Sequence, residues 1–187
     1  MNILRKFLSV KIILAQKLRA SFFFLANKIF NKDISVYRDI KIGKGVICRA
    51  TDGGTLSIGK GASIGQNAII EAKGGNILIG ENVFVGAGCI IICKEHIRIG
   101  SNCQIAEYVV IRDQDHSSSS RPIKDAGFKI APIEIGEDVW IGAKATIVKG
   151  STIGDGSIIG AHSLVRTDIP SFSLATGIPA EVTKKIL

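Results

Sequence analysis

His116 is the residue best placed to do chemistry. It stands in the stretch Arg112 to Pro132, RDQDHSSSSRPIKDAGFKIAP, flanked by Asp113 and Asp115. A neutral imidazole, with an unperturbed pKa of about 6.5, can take the proton of an attacking hydroxyl near neutral pH. A nearby carboxylate can hold the ring in one tautomer, and Asp113 and Asp115 are the candidates. The plainer account is a solvated loop histidine. The other two histidines, His96 and His162, lie 20 residues before and 46 after it. That spacing has no close pair of the kind a metal site uses, so no metal is expected. Cys48, Cys89, Cys93 and Cys103 form no CxxC pair. Each sits among aliphatic residues, which predicts buried, reduced thiols and a cytoplasmic setting.

These residues need elements to hold them, and the body of the chain is a six-residue repeat. From Ile135 an aliphatic residue recurs every six positions: Ile141, Ile147, Ile153, Ile159 and Val165. Earlier blocks repeat the pattern at Ile58, Ile64 and Ile70, then Ile79, Val85 and Ile91, then Ile99, Ile105 and Ile111. Ile42-Gly43 opens the array, and the phase slips at Lys73–Asn76 and Glu95–Arg98. A period of six fits neither an amphipathic helix nor a hairpin array. It fits a coil of short parallel strands, each aliphatic residue pointing inward and stacking on its equivalent one coil on. Small residues such as Ala62, Ala68, Ala87 and Ala145 fill the tight positions. Periodicity fails from 112 to 132. A coil needs no loop there, and a loop thrown out from a rigid scaffold is a common place for function.

Composition narrows the classes. The chain has 187 residues, 46% hydrophobic and 21% charged, which suits one folded domain and excludes general disorder. The net charge of +8 is uneven: residues 1–33 carry seven basic groups and one acid, and the rest of the chain is nearly balanced. A nucleic-acid binder would spread its charge over a binding face, so no nucleic-acid partner is expected. Residues 3–30 read as a basic amphipathic helix, with Leu4, Phe7, Leu14, Leu18, Phe22, Leu25 and Ile29 near helical spacing. Such a helix can lie on an anionic membrane surface, or pack on the domain or on a neighbouring subunit. No run of 18 uncharged apolar residues occurs, so a membrane span is not expected.

The hexads from Ile42 to Val165 resemble the hexapeptide-repeat acyltransferases. The resemblance implies an all-β domain over residues 34–187, a left-handed parallel β-helix with a loop extruded near residues 112–132. It also implies a homotrimer with active sites between subunits. Left-handed winding is exceptional against the usual crossover preference, and it comes from the resemblance and not from the periodicity. Three further stretches are more specific: Ile133 to Gly142 (IEIGEDVWIG), Gly160-Ala161 through Asp168-Ile169-Pro170, and Gly177-Ile178-Pro179-Ala180. Together they resemble the sugar O-acetyltransferases that modify polysaccharides, of the colanic-acid and capsular type.

That branch implies acetyl-CoA as co-substrate, a sugar or lipid-linked saccharide as acceptor, and His116 as the base. It implies Trp140 at the cleft; Arg121 is a candidate acceptor contact only by its nearness to His116 in the sequence. Gly142, Ala143, Gly160 and Ala161 would lie along the pantetheine arm; Arg166, by its charge, is a candidate for the CoA phosphates, against the plainer account of a solvated surface charge. A slim arm beside a coil edge needs tiny side chains, although corner packing alone accounts for the same residues. The family often has Lys where Glu181 stands. Alternatives are an antibiotic or other small hydroxyl acceptor, a carbonic-anhydrase-like metalloenzyme on the same fold, and a non-catalytic trimeric scaffold.

Overall fold

The computed structural model describes residues 32–37 and 39–186, together with 14, 15, 18, 19, 21, 22 and 25. Three parallel sheets wind about one axis and form the walls of a prism. Sheet A stacks Ile34–Val36, Thr55–Ile58, Asn76–Ile79, His96–Ile99, Ile133–Ile135 and Thr152–Ile153. Sheet B stacks Lys41–Ile42, Ser63–Ile64, Phe84–Val85, Gln104–Ile105, Trp140–Ile141, Ile158–Ile159 and Ser173–Gly177, with Ala180–Lys185 added antiparallel at its edge. Sheet C stacks Ile47–Thr51, Ile69–Lys73, Ile90–Cys93, Val110–Arg112, Thr146–Val148 and Leu164–Val165. The chain runs from A to B to C and then climbs one coil.

The hexad residues form the inner columns. In sheet B, Ile64, Val85, Ile105, Ile141 and Ile159 pair in register, about 4.8 Å apart as strands of one sheet must be. In sheet C the column is Ile70, Ile91, Ile111, Ile147 and Val165. The 15 inward residues of these columns and of Ile58, Ile79, Ile99, Ile135 and Ile153 in sheet A are at most 3% exposed. Each such burial contributes about 1.5–3 kcal/mol, and it depends on the coil above and below. Sheet A turns a second residue inward, two positions before each hexad aliphatic: Leu56, Ile77, Ile97 and Ile133, all at most 1% exposed. The hexad reading omits this second column. The phase slips at Lys73–Asn76 and Glu95–Arg98 fall where sheet C hands over to sheet A.

All four cysteines are free thiols; three are buried and Cys48 is half-buried. Cys89 and Cys103 occupy the small inward position two residues before a hexad aliphatic, the place that Ser157 takes later in the chain. There each donates to the backbone of a neighbouring corner, Cys89 Sγ to Ala106 O (3.0 Å), Cys103 Sγ to Gly136 O (3.1 Å) and Ser157 Oγ to Pro170 O (2.8 Å). Burial pushes the Cys89 and Cys103 thiols up to about 11.

One expectation is refined. The stretch after Arg112 is an ordered arm and not an open loop. Gln114–His116 pairs antiparallel with Phe128–Ile130, and Ile123–Asp125 makes a 3₁₀ turn between them. At the other end, described residues 14, 15, 18, 19, 21, 22 and 25 are helical. The rest of the 3–30 helix lies outside the described residues. Leu14, Leu18, Phe22 and Leu25 are 55–75% exposed, while Arg19 Nε donates to Ile42 O at the first coil (3.2 Å). Among the described residues no helix is long and apolar enough to cross a membrane.

Candidate active site

The arm carries His116. It leaves the prism at the corner between sheets C and A, after Arg112, and returns at Ile133. Strand pairing sets His116 opposite Phe128. Their rings lie 4.6 Å apart at 36°, and Lys94 Nζ sits 4.4 Å over the same Phe128 ring. Such a cation over an aromatic face contributes about 0.5–1 kcal/mol at an exposed site. Lys149 Nζ, from the coil below, donates to Asp115 Oδ2. Strand alternation explains the split: neighbouring residues Asp115 and His116 point to opposite faces.

Neither aspartate orients His116 as expected. Asp113 is fully buried, and its carboxylate accepts from the backbone N–H groups of Lys94, Glu95 and His96. Asp115 is taken by Lys149. Among the described residues no hydrogen bond or ion pair reaches the His116 imidazole, and its ring contact is Phe128. The imidazole is exposed and both nitrogens are open to a ligand.

The other histidines stand apart. His96 Nε2 lies 3.4 Å from Glu134 Oε1 on sheet A. His162 is at the corner between sheets B and C. Among the described residues no three His, Cys, Asp or Glu side chains gather as a metal site would require.

The small residues form a second feature. Trp140 projects from sheet B between Gln104 and Ile158 and is 53% exposed. Immediately after it the chain turns the corner from sheet B to sheet C. There Gly142 and Ala143 lie directly over Gly160 and Ala161 of the next coil, tied by His162 N donating to Ala143 O (2.9 Å). A Cβ on Gly142 would meet Ala161 N at 2.5 Å and Ala161 Cα at 2.9 Å. Close approach of two backbones therefore demands glycine here. A Cβ on Gly160 would meet Thr176 Cγ2 at 2.7 Å. Ala143 is half-buried and Ala161 exposed, so their side chains face outward space. Three coils in succession place a non-glycine residue in the left-handed region at this corner: Tyr108 (φ 59), Lys144 (φ 60) and His162 (φ 60). Arg121 and Arg166 are exposed, and among the described residues no hydrogen bond or ion pair joins them to these features.

Sequence reasoning named His116, Trp140 and the small corner, and missed Phe128, Lys94, Lys149, Lys144 and Tyr108. A signal for Phe128 existed. Phe128 and Ile130 alternate about Lys129 after Gly127, a strand pattern following a turn residue.

Comparisons with known proteins agree with this architecture. Residues 132–167 match the bacterial transferase hexapeptide (six repeats) model, and residues 76–111 match the hexapeptide repeat of succinyl-transferase. A putative lipopolysaccharide biosynthesis O-acetyl transferase of Escherichia coli is 31% identical over 74% of this chain and 76% of its own length. The galactoside O-acetyltransferase of the same organism is 37% identical over 67% of this chain and 64% of its own. A probable acetyltransferase of Mycobacterium tuberculosis is 38% identical over 84% of this chain, which spans only 53% of that protein. Among solved structures, the polySia-specific acetyltransferase NeuO superposes with a TM-score of 0.64 at 26% identity, covering 83% of this chain and 88% of that one. A maltose O-acetyltransferase from Clostridium difficile gives a TM-score of 0.59 at 27% identity, over 96% and 89%. An N-acyltransferase from Bacillus cereus, solved with dTDP and coenzyme A, shares the fold at a TM-score of 0.70, with 20% identity over 86% and 87%. The continuous hexad columns, the ordered arm and these matches together place the chain in the hexapeptide-repeat transferases with a left-handed β-helix, in the branch that holds the sugar O-acetyltransferases.

Proposed function

We propose that the protein is a CoA-dependent O-acetyltransferase that moves an acetyl group from acetyl-CoA to a sugar hydroxyl during synthesis of a surface polysaccharide, such as capsule, exopolysaccharide or O-antigen. The observation that carries the reading is His116: an imidazole held out from a rigid repeat on an ordered arm, exposed, with neither nitrogen engaged among the described residues. The hydroxyl proton passes to the open imidazole nitrogen as the hydroxyl oxygen attacks the thioester carbonyl carbon. The tetrahedral oxyanion collapses, the carbon–sulfur bond breaks, and the CoA sulfur takes the proton back from the imidazolium. A base so placed is worth about 10²–10⁴-fold in rate. Acetyl-CoA is supplied as co-substrate, and its pantetheine arm runs past Gly142, Ala143, Gly160 and Ala161, with Trp140 beside it.

Two corners of the prism support a trimer with sites between subunits. His116 roots at the corner between sheets C and A, whereas the small residues lie at the corner between B and C. Sheet C separates them within one chain. A second copy, set with its own B–C corner against the arm, brings the two together. The acceptor is a sugar or a lipid-linked saccharide. The basic N-terminal segment, with Leu14, Leu18, Phe22 and Leu25 bare to solvent, holds the enzyme at the cytoplasmic face of the membrane where such acceptors are built. Deleting residues 1–30 should abolish flotation with vesicles containing phosphatidylglycerol. Retained flotation removes this role from the segment.

The test of the reaction is free-thiol release from acetyl-CoA against a panel of sugars and lipid-linked oligosaccharides. Acceptor-dependent release should fall by about 10²–10⁴-fold in His116→Ala, with the melting temperature unchanged. Near-normal turnover in that variant refutes the base assignment.

A further inference from the structure

We infer that Asp113 is a positioning residue: its buried carboxylate replaces the backbone of a missing turn and thereby fixes where the arm, and His116 on it, stands. Elsewhere at the corner between sheets C and A, N–H groups donate to carbonyls one coil on, Thr55 N to Gly75 O (3.0 Å) and Asn76 N to Glu95 O (3.0 Å). At Lys94–His96 the next coil offers no such corner, because the chain departs into the arm. Asp113 fills the gap. Lys94 N donates to Oδ1 (2.8 Å), Glu95 N to Oδ2 (2.7 Å) and His96 N to Oδ2 (3.1 Å). Cys93 Sγ donates to the same Oδ2 (3.2 Å). Gln114 sets its side-chain amide against Asp113 Oδ1 and Ile92 O, two acceptors that assign the amide nitrogen to the inward position.

The residue is 0% exposed, and in the contacts above its charge is met by N–H and S–H dipoles. Several N–H donors converging on one carboxylate satisfy its oxygens and fix its position. The main chain of Asp113 does the complementary task. Its carbonyl accepts from Ala131 N (3.0 Å), closing the root of the hairpin. One residue thus ties the coil on one side and the arm on the other, and His116 follows three residues on, about 10 Å along a strand.

Only the kinetic consequence rests on the reading proposed above; the anchoring does not. Hydrogen exchange of the full chain reads the anchoring directly. Asp113→Asn is isosteric and turns one acceptor oxygen into a donor facing N–H groups. It should speed exchange at residues 94–96 and 114–130 by about tenfold or more, leaving other coils unchanged. Ala131→Pro removes the N–H that closes the hairpin and leaves the carboxylate in place. It should loosen 114–130 and not 94–96, and it serves if the Asn variant does not fold. Asp155→Asn is the control, since Asp155 Oδ1 accepts Glu137 N (2.7 Å) at a corner that carries no arm. Unchanged exchange at 94–96 in Asp113→Asn, or at 114–130 in Ala131→Pro, overturns the anchor. With acceptor present, Asp113→Asn should lower kcat by about 100-fold with KM for acetyl-CoA unchanged. The double variant with His116→Ala should then be no slower than His116→Ala alone. Multiplying losses overturn the action through His116. A wild-type protein without acceptor-dependent thiol release refutes the proposed reaction, and the exchange results still judge the anchor.

Discussion

Two substitutions one coil apart separate packing from ligand clearance at the B–C corner. A methyl added at Gly142 would lie 2.5 Å from Ala161 N and 2.9 Å from Gly160 C and Ala161 Cα. All three are backbone atoms, and ordinary contact needs about 3.4 Å or more, so the coils must part by several tenths of an ångström. Overpacking of this kind costs about 1–3 kcal/mol. For a chain of this size each kcal/mol lowers the melting temperature by about 2–4 °C, so Gly142→Ala should melt about 2–12 °C lower. Ala161→Leu is the opposite case. Ala161 is exposed, and surface changes usually stay within about 0.5 kcal/mol. If the pantetheine arm runs here, the leucine takes its space. Calorimetric Kd for CoA should then rise about tenfold, equivalent to about 1.4 kcal/mol. Wild-type melting in Gly142→Ala would refute the backbone contact. Wild-type CoA affinity in Ala161→Leu would refute clearance, leaving corner packing as the whole reason for these small residues.

Other outcomes test other parts of the molecule. Ile105→Ala empties a fully buried place between Val85 and Ile141 and should cost about 2–5 kcal/mol by denaturant unfolding. A cost below ~1 kcal/mol would contradict the inward column. The thiols give a pH signature. Folded Cys89 and Cys103 sit at about 11 against 9.0 in an open chain, so the unfolded state releases protons first. Stability should be level below pH 9 and fall from there toward pH 11, by up to ~1.4 kcal/mol per pH unit for each thiol. The Cys89→Ser/Cys103→Ser variant should lessen that fall, with Cys48 and Cys93, whose thiols burial also pushes up, still contributing, and an identical slope would sink the account. Trp140 is the sole tryptophan and is 53% exposed, so CoA binding should change its emission. Unaltered emission under saturating CoA would put the ligand elsewhere.

What was legible in the sequence follows from how the fold repeats. A residue such as Ile141 meets the same environment as Ile105 and Ile159, because each coil is buried by the next. One local rule therefore governs the whole core, and periodicity reveals it. The second inward column of sheet A escaped, since Leu56, Ile77 and Ile97 stand two residues before a hexad aliphatic and so fall off the six-residue phase. The active-site reading divides along the same line. Trp140 and the small residues belong to repeating positions, so the repeat alone locates them in the fold. The contacts of His116 belong to the place where repetition stops. Its neighbour Phe128 is 12 residues away in sequence and is fixed by hairpin register. Lys94 and Lys149 come from the coils before and after.

Asp113 shows why proximity in sequence misleads at such a place. It stands three residues from His116 and carries the right functional group, so it reads as a partner of the imidazole. Yet a coil that ends early leaves N–H groups without the carbonyls of its successor, and burying them unpaired would cost about 1–3 kcal/mol each. The first residue of the departing chain is the one that can reach them. Its carboxylate is therefore claimed by Lys94, Glu95 and His96. By the same logic, an acid at the first exit position from a β-helix is a structural anchor before it is a catalytic one. Among the described residues the ring of His116 is met by Phe128 and by neither neighbouring aspartate.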